Sequence, residues 1–199
     1  MKIGFIGAGS IAQALASQFL RAGHEVVLAS RRGPAALDGT LRALGAGAGA
    51  GTHAEAAAAE LLVLAVPWDQ LDAATAGLPP LGGRIVIDTM NPVLQPGFRL
   101  AELGGLASSE VVARHLPGAR LVKIANTLPP PLLGAEPRRD GGRRVLFMSG
   151  DDMAAKQEVA RLFESLGFAV VDLGTLASGG RLQQFPGGPL PALDLVKLG

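Results

Sequence analysis

Gly7, Gly9 and Ala12 occupy the spacing G-x-G-x-x-A immediately after the apolar stretch Lys2–Ile6. Three small residues at this spacing suit one task. The first allows a tight turn out of a strand, the second lets a bulky anion approach the backbone, and the third lets a helix pack on the sheet. The helix that follows would turn free N–H groups and a positive dipole end toward that anion. A lone motif of this kind is weak, but here it follows a strand, opens a helix and begins a βαβ unit. The ligand so indicated is the pyrophosphate of a dinucleotide.

A second group stands about twenty residues further on, in Ala29-Ser30-Arg31-Arg32. Sites that prefer NAD place Asp or Glu here to bind the ribose 2′-hydroxyl. This chain offers a hydroxyl and two guanidinium groups, which pair with a 2′-phosphate where a carboxylate would repel it. Ser30, Arg31 and Arg32 therefore point to NADP(H). Arg32 alone could equally be a solvated turn.

The other polar residues carry less. His24 sits in a helix-to-strand turn and reads as structural, while His53 and His115 have no partner at metal-ligand spacing. With no cysteine in the chain, disulfides and thiolate metal sites are excluded. No metal site is expected. Asp88 could be a general base or a turn cap, and the cap is preferred. Trp68 could lie over a flat ring or cover the core. Arg138, Arg139, Arg143 and Arg144 read as a solvated basic run. No nucleophile–base pair is legible, so the catalytic residues stay unassigned.

The elements that must position these groups alternate. Strands are expected over residues 2–6, 25–29, 61–66, 84–88, 120–125, 145–149 and 168–172. Helices are expected over 10–22, 34–44, 54–60, 68–76, 108–116 and 151–166. Residues 45–51, alternating Gly and Ala, read as a flexible connector, and 129–144 as a long irregular loop. Such alternation implies an α/β fold: a Rossmann-type, doubly wound, mostly parallel sheet of about eight strands. A single domain over 1–199 is expected, with 174–199 as a C-terminal tail. The 18 basic and 17 acidic residues nearly cancel, so nothing draws the chain to nucleic acid or membrane. With no apolar run long enough for a span and no visible signal peptide, a cytoplasmic location is the default expectation.

Several short segments in fixed order carry a family resemblance: Gly7 to Ala12, Gly23-His24-Glu25, Ser30-Arg31-Arg32, Ala65-Val66-Pro67-Trp68, Asp88-Thr89-Met90-Asn91-Pro92, Lys123-Ile124-Ala125-Asn126-Thr127, Ser149-Gly150-Asp151-Asp152 and Asp172-Leu173-Gly174-Thr175-Leu176. The chain resembles the deazaflavin (coenzyme F420)-dependent NADP oxidoreductases. It is also similar to the cytosolic NADPH-binding domains of the six-transmembrane metalloreductases. The resemblance implies that Ala8, Gly9, Ser10 and Ile11 line the pyrophosphate, and that Ser30 and Arg31 take the 2′-phosphate. It also implies that Val66, Pro67, Met90 and Asn91 border the nicotinamide riboside. Thr127, Leu128 and Pro129 would floor a second-cofactor pocket, with Leu176 as its far wall and Trp68 beside it. The implied activity is hydride transfer between NADP(H) and coenzyme F420 or a flavin, and the implied assembly is a homodimer covering the apolar stretch 189–198. The departures are a short C-terminal stretch and the proline-rich 126–131. A small-substrate reductase is a weaker reading, because such enzymes add a helical domain for which this length leaves no room. A non-catalytic NADP-binding regulator is the reading from another class.

Overall fold

The computed structural model describes residues 1–199. The chain runs β1 (Lys2–Ile6), α1 (Ser10–Arg21), β2 (Glu25–Ala29), α2 (Asp38–Leu44), β3 (Ala48–Gly51), α3 (His53–Ala57), β4 (Leu61–Leu64), α4 (Leu71–Thr75) and β5 (Ile85–Asp88). A small hairpin, β6 (Val93–Leu94) and β7 (Arg99–Leu100), precedes α5 (Ser108–His115) and β8 (Arg120–Ile124). There follow α6 (Pro130–Gly134), β9 (Arg138–Arg139), β10 (Gly142–Gly150), α7 (Met153–Ser165), β11 (Ala169–Asp172), α8 (Gly179–Gln183) and β12 (Val196–Leu198).

Eight strands form one continuous path in the order β11-β10-β8-β5-β4-β1-β2-β3. All but one of the pairings along it are parallel; β10 runs antiparallel to β8. Strands β9 and β12 add to β10, both antiparallel. The fold is therefore the Rossmann-like α/β class, and the expected eight parallel-rich strands are present.

Alternation along each strand splits the core in two. Ile3, Phe5, Val26, Leu28 and Val63 pack with Leu15 and Phe19 of α1 and Val159 and Phe163 of α7. On the other face, Ile6, Leu62, Leu64 and Val86 meet α3, α4 and α5 through Ala57, Leu71 and Val112. Gly4 lies on this second face, where a Cβ would collide with the Ala56 carbonyl. The glycine is what lets α3 sit directly on β1. Buried Gln18 ties α1 to α6, its Nε2 donating to the carbonyls of Leu133 (2.8 Å) and Ala135 (2.7 Å).

Two expectations need correction. Residues 48–51 are not part of a flexible connector but the edge strand β3, in parallel register with Val26 to Ala29. Their smallness has a reason: a Cβ on Gly51 would stand 3.0 Å from Val27 Cγ1 and 3.1 Å from the Glu55 carboxylate. Residues 129–144 are not one irregular loop, since Pro130 and Pro131 start α6 from positions where a missing N–H costs nothing. Strand β10 then begins at Gly142, three residues before the expected start. The C-terminal tail, residues 174–199, carries elements of its own. α8 is locked under β10 through Gln183, whose Nε2 donates to the Phe147 carbonyl at 2.8 Å, and β12 extends the sheet. Leu190 packs on Val145, Phe147 and Ala169, while Leu193, Leu195 and Leu198 stay exposed.

Candidate functional site

Strand order reverses between β1 and β4: the chain winds outward through β2 and β3, then returns to β4 and winds the other way. Open α/β sheets bind ligands in the crevice beyond the strand ends at such a switch point. A cleft of about 560 Å³ lies there.

Its floor is the turn after β1. Gly7 has φ +107° and donates its N–H to the Ala29 carbonyl at 2.9 Å. A Cβ at Gly7 would collide with the Ala65 carbonyl, so the turn admits only glycine. Gln13 Nε2 holds the Ala8 carbonyl at 2.8 Å. Helix α1 starts at Ser10 with no side-chain cap and no acidic residue in its first turn, so its leading N–H groups are left for a ligand. At Gly9 a Cβ would meet no protein atom within 4 Å. The space over Gly9 is open, as a backbone that receives a pyrophosphate requires.

One wall comes from the end of β2. Ser30, Arg31 and Arg32 all line the cleft. Arg31 Nη1 donates to Gln70 Oε1 at 2.8 Å, which steadies an otherwise exposed guanidinium and leaves its other donors free. The carboxylate in the lining, Asp69, comes from the turn after β4 and not from β2. Val66 and Pro67 close the β4 side.

The cleft thus brings together Gly7, Ala8, Gly9, Ser30, Arg31, Arg32, Val66 and Pro67. Ser10 and Ile11 stand just beyond it in the first turn of α1. Met90, Leu128 and Leu176 are buried in the two cores, so their side chains face packing partners and not the cleft. Asn91 and Asn126 form a reciprocal amide pair. Asn91 Nδ2 donates to the Asn126 carbonyl at 2.8 Å, and Asn126 Nδ2 to Asn91 Oδ1 at 2.9 Å. The Phe185 N–H and the Gln183 carbonyl join that pair to the C-terminal segment. Thr127 is buried and its Oγ1 has no hydrogen-bond partner. Pro129 is exposed and Trp68 half-buried against the α4 face.

Sequence reasoning missed His53, Gln70, Ala73, Val93 and Gln95 in the lining. His53 follows β3, and overlooking that strand hid it. A capping box sets its backbone: the Thr52 N–H donates to the Glu55 carboxylate at 2.7 Å and the Glu55 N–H to Thr52 Oγ1 at 3.2 Å. The Thr52 N–H first, and then the Thr52 hydroxyl at 3.0 Å, donate to the Glu55 carboxylate and hold it below its ordinary pKa. His24 lies edge-on to Phe19 near the N-terminus. Burial first, then the N-terminal ammonium, lowers its pKa, with Glu60 opposing.

Asp88 caps its own turn, as preferred from the sequence: Oδ1 accepts the Met90 N–H at 2.8 Å. It is also half of an ion pair that sequence reasoning missed. Lys123 Nζ reaches Asp88 Oδ2 at 3.1 Å and the Met90 carbonyl at 2.7 Å, with both side chains wholly buried. Beneath the loop that carries Met90 and Asn91 there is thus a charged bolt.

A family model described as "NADP oxidoreductase coenzyme F420-dependent" matches residues 2–92. The crystal structure of a putative F420-dependent NADP-reductase from Arthrobacter sp. FB24 is 33% identical, with a TM-score of 0.76 over 88% of this chain and 86% of that one. The chain belongs to the coenzyme F420-dependent NADP oxidoreductase family. A hypothetical protein from Sinorhizobium meliloti is nearer still, at 44% identity and TM-score 0.92 over 99% and 96% of the two chains. The metalloreductase STEAP3 of Rattus norvegicus is 30% identical over 197 residues; the chain spans 38% of its length. No helix here is long and apolar enough to cross a membrane. The family is one of NADP-dependent oxidoreductases.

Proposed function

We propose that this oxidoreductase transfers hydride between NADP(H) and a second flat cofactor, coenzyme F420 in first place and a flavin in second. The observation that carries the NADP(H) half is the meeting of the glycine turn with Ser30, Arg31 and Arg32 in one cleft whose β2 wall has no carboxylate. The second half rests on family membership and on the likeness to the putative F420-dependent NADP-reductase of Arthrobacter.

In this reading Gly7, Ala8 and Gly9, with the first N–H groups of α1 at Ser10 and Ile11, hold the pyrophosphate. Ser30, Arg31 and Arg32 take the 2′-phosphate, Arg31 held ready by Gln70. Val66 and Pro67 border the nicotinamide riboside. Met90 and Asn91 shape that end from behind, by packing and through the amide pair. Bound NADP(H) supplies a hydride at its nicotinamide. The chain binds, orients and excludes water, and no side chain need serve as acid or base. For the second ring, Pro129 and Trp68 offer accessible surface, Thr127 an unpartnered hydroxyl, and Leu128 and Leu176 the packing beneath. A homodimer covering Leu193, Leu195 and Leu198 belongs to the same proposal, as does a cytoplasmic setting.

Two measurements test it. Calorimetric titration of NADPH and NADH reads the cofactor. Arg31→Ala should weaken NADPH about 10- to 100-fold, the worth of one or two charge-assisted bonds, and leave NADH nearly unchanged. Ser30→Asp with Arg31→Ala should reverse the preference. Wild-type preference for NADH, or equal loss of both nucleotides, refutes the assignment. NADPH oxidation is then followed with deazaflavin, flavin mononucleotide and ferric chelates in turn. Turnover with deazaflavin or flavin supports the proposed acceptor class. Turnover with ferric chelates alone, or with none, refutes it.

A further inference from the structure

The three antiparallel strands β9, β10 and β12 carry arginine and lysine on both faces, and the two faces are treated differently. On one face Arg139 Nη1 and Arg144 Nε both reach Asp194, at 2.7 and 2.8 Å, and Arg139 Nε also holds Asp140 at 2.7 Å. Every cation there has a carboxylate. On the other face Arg143 stands directly opposite Arg138 on one side and Lys197 on the other. Directly opposed residues of antiparallel strands share a face, so the three form a row. With strands about 4.8 Å apart, the row spans about 10 Å.

This row has one acid for its three cations. Glu136 lies 3.9 Å from Arg138, and Arg143 has a long 3.5 Å contact to the Phe168 carbonyl. Neither Arg143 nor Lys197 has a carboxylate within ion-pair distance. Like charges directly opposite one another destabilise a sheet, and elsewhere on the same strands the fold has neutralised them. Arg138 is also seated: its Nη1 would lie 2.7 Å from a Cβ at Gly167, so that glycine makes room for the guanidinium. The row opens on a cavity of about 680 Å³, whose lining includes Arg138, Arg143 and Lys197 together with Arg139 and the Asp140 carboxylate that Arg139 holds at 2.7 Å. A Cβ at Gly141 would meet nothing, so backbone is accessible beside the cations.

We propose that Arg138, Arg143 and Lys197 form an anion site for a diphosphate group, separate from the nucleotide cleft. Two guanidinium forks and an ammonium over this span match two linked phosphates, each able to accept paired N–H donors. One phosphate would leave part of the row unpaired.

The test is calorimetric titration of pyrophosphate into the full chain at low salt, with NADP⁺ present at saturation so that the cleft is blocked. Saturable one-site binding is expected, tighter than for inorganic phosphate. It should weaken about 10- to 100-fold in Arg143→Gln. Lys197→Gln, at an exposed position where folding is not at stake, should weaken it as well. Neither change should alter NADPH affinity, which keeps this test independent of the nucleotide assignment. ADP binding equal to pyrophosphate assigns a bare diphosphate, and tighter ADP binding assigns a nucleoside diphosphate; both support the site. No saturable pyrophosphate binding, or binding unchanged in both variants, overturns it.

Discussion

Lys123→Met tests whether the buried ion pair holds the loop beside the cleft. Methionine keeps the length and apolar stem of lysine but removes the ammonium. Two groups then lose their partner at once: Asp88 Oδ2, 3.1 Å from Nζ, and the Met90 carbonyl, 2.7 Å from it. Asp88 keeps one bond, from the Met90 N–H. Both side chains are fully buried, so water cannot substitute. Breaking one side of such a pair costs about 3–5 kcal/mol, a large part of the roughly 5–15 kcal/mol by which a domain is stable. For a chain of this length that corresponds to a melting point lower by about 6–20 °C. Removing the orphaned charge as well should recover much of the loss. Asp88→Asn with Lys123→Met retains the Oδ1 acceptor for Met90 and should melt well above Lys123→Met alone. Urea unfolding of wild type, both single variants and the double variant gives the coupling energy, expected above about 1 kcal/mol for contacting residues. A Lys123→Met cost below about 1 kcal/mol, or additive single losses, would show that the pair does not act as a unit and would refute the reasoning.

The glycine turn and the C-terminal segment make further expectations. Gly7→Ala forces a Cβ onto the Ala65 carbonyl at φ +107° and should lower stability by about 2 kcal/mol or more, read by urea unfolding. Gly9→Ala meets no protein atom and should change stability by less than about 0.5 kcal/mol. Its NADPH affinity should nevertheless fall about tenfold or more, because the methyl group fills the space kept for the pyrophosphate. Unchanged NADPH binding by Gly9→Ala in calorimetry would count against the site. Asp194 is held below its ordinary pKa of 3.8, chiefly by its hydrogen bond from Arg144 and, after opposing burial, by the charges of Arg144 and Arg139. A depressed carboxyl contributes stability above its unfolded-state pKa and loses it as pH falls through the folded value. Asp194→Asn should therefore be less stable than wild type at pH 7, with the gap closing below about pH 4. A gap independent of pH between 7 and 3 would remove Asp194 from the acid limb.

How far the site could be read depended on where its chemistry sat. Gly7, Gly9, Ser30 and Arg31 were legible because a turn at a strand end constrains residue type directly: φ +107° at Gly7 and open space over Gly9 leave few alternatives. The same holds for the parallel strands β1, β2, β4, β5 and β8, whose apolar runs are buried on both faces. What stayed hidden was decided by close approach between elements far apart in sequence. Ala48 to Gly51 look like a linker because glycine and alanine have little strand preference. They pair beside β2 because small residues fit against Val27 and Glu55. With β3 goes His53, whose place in the cleft has no local signature. Lys123 and Asp88 are 35 residues apart and meet only because β5 and β8 are neighbours in register, Asp88 opposite Lys123. The proline run 129–131 was legible as a break but not as a helix start, since proline also ends helices and only the chain's direction at that point distinguishes the two. The same logic bears on the basic run. Four arginines in sequence look like one solvated patch, yet strand alternation sends Arg139 and Arg144 to Asp194 and leaves Arg138 and Arg143 beside Lys197. Fifty residues separate Arg144 from its acid. Only the return of the chain as β12 shows that Arg139 and Arg144 share Asp194 while Arg143 stands beside Lys197 with no carboxylate.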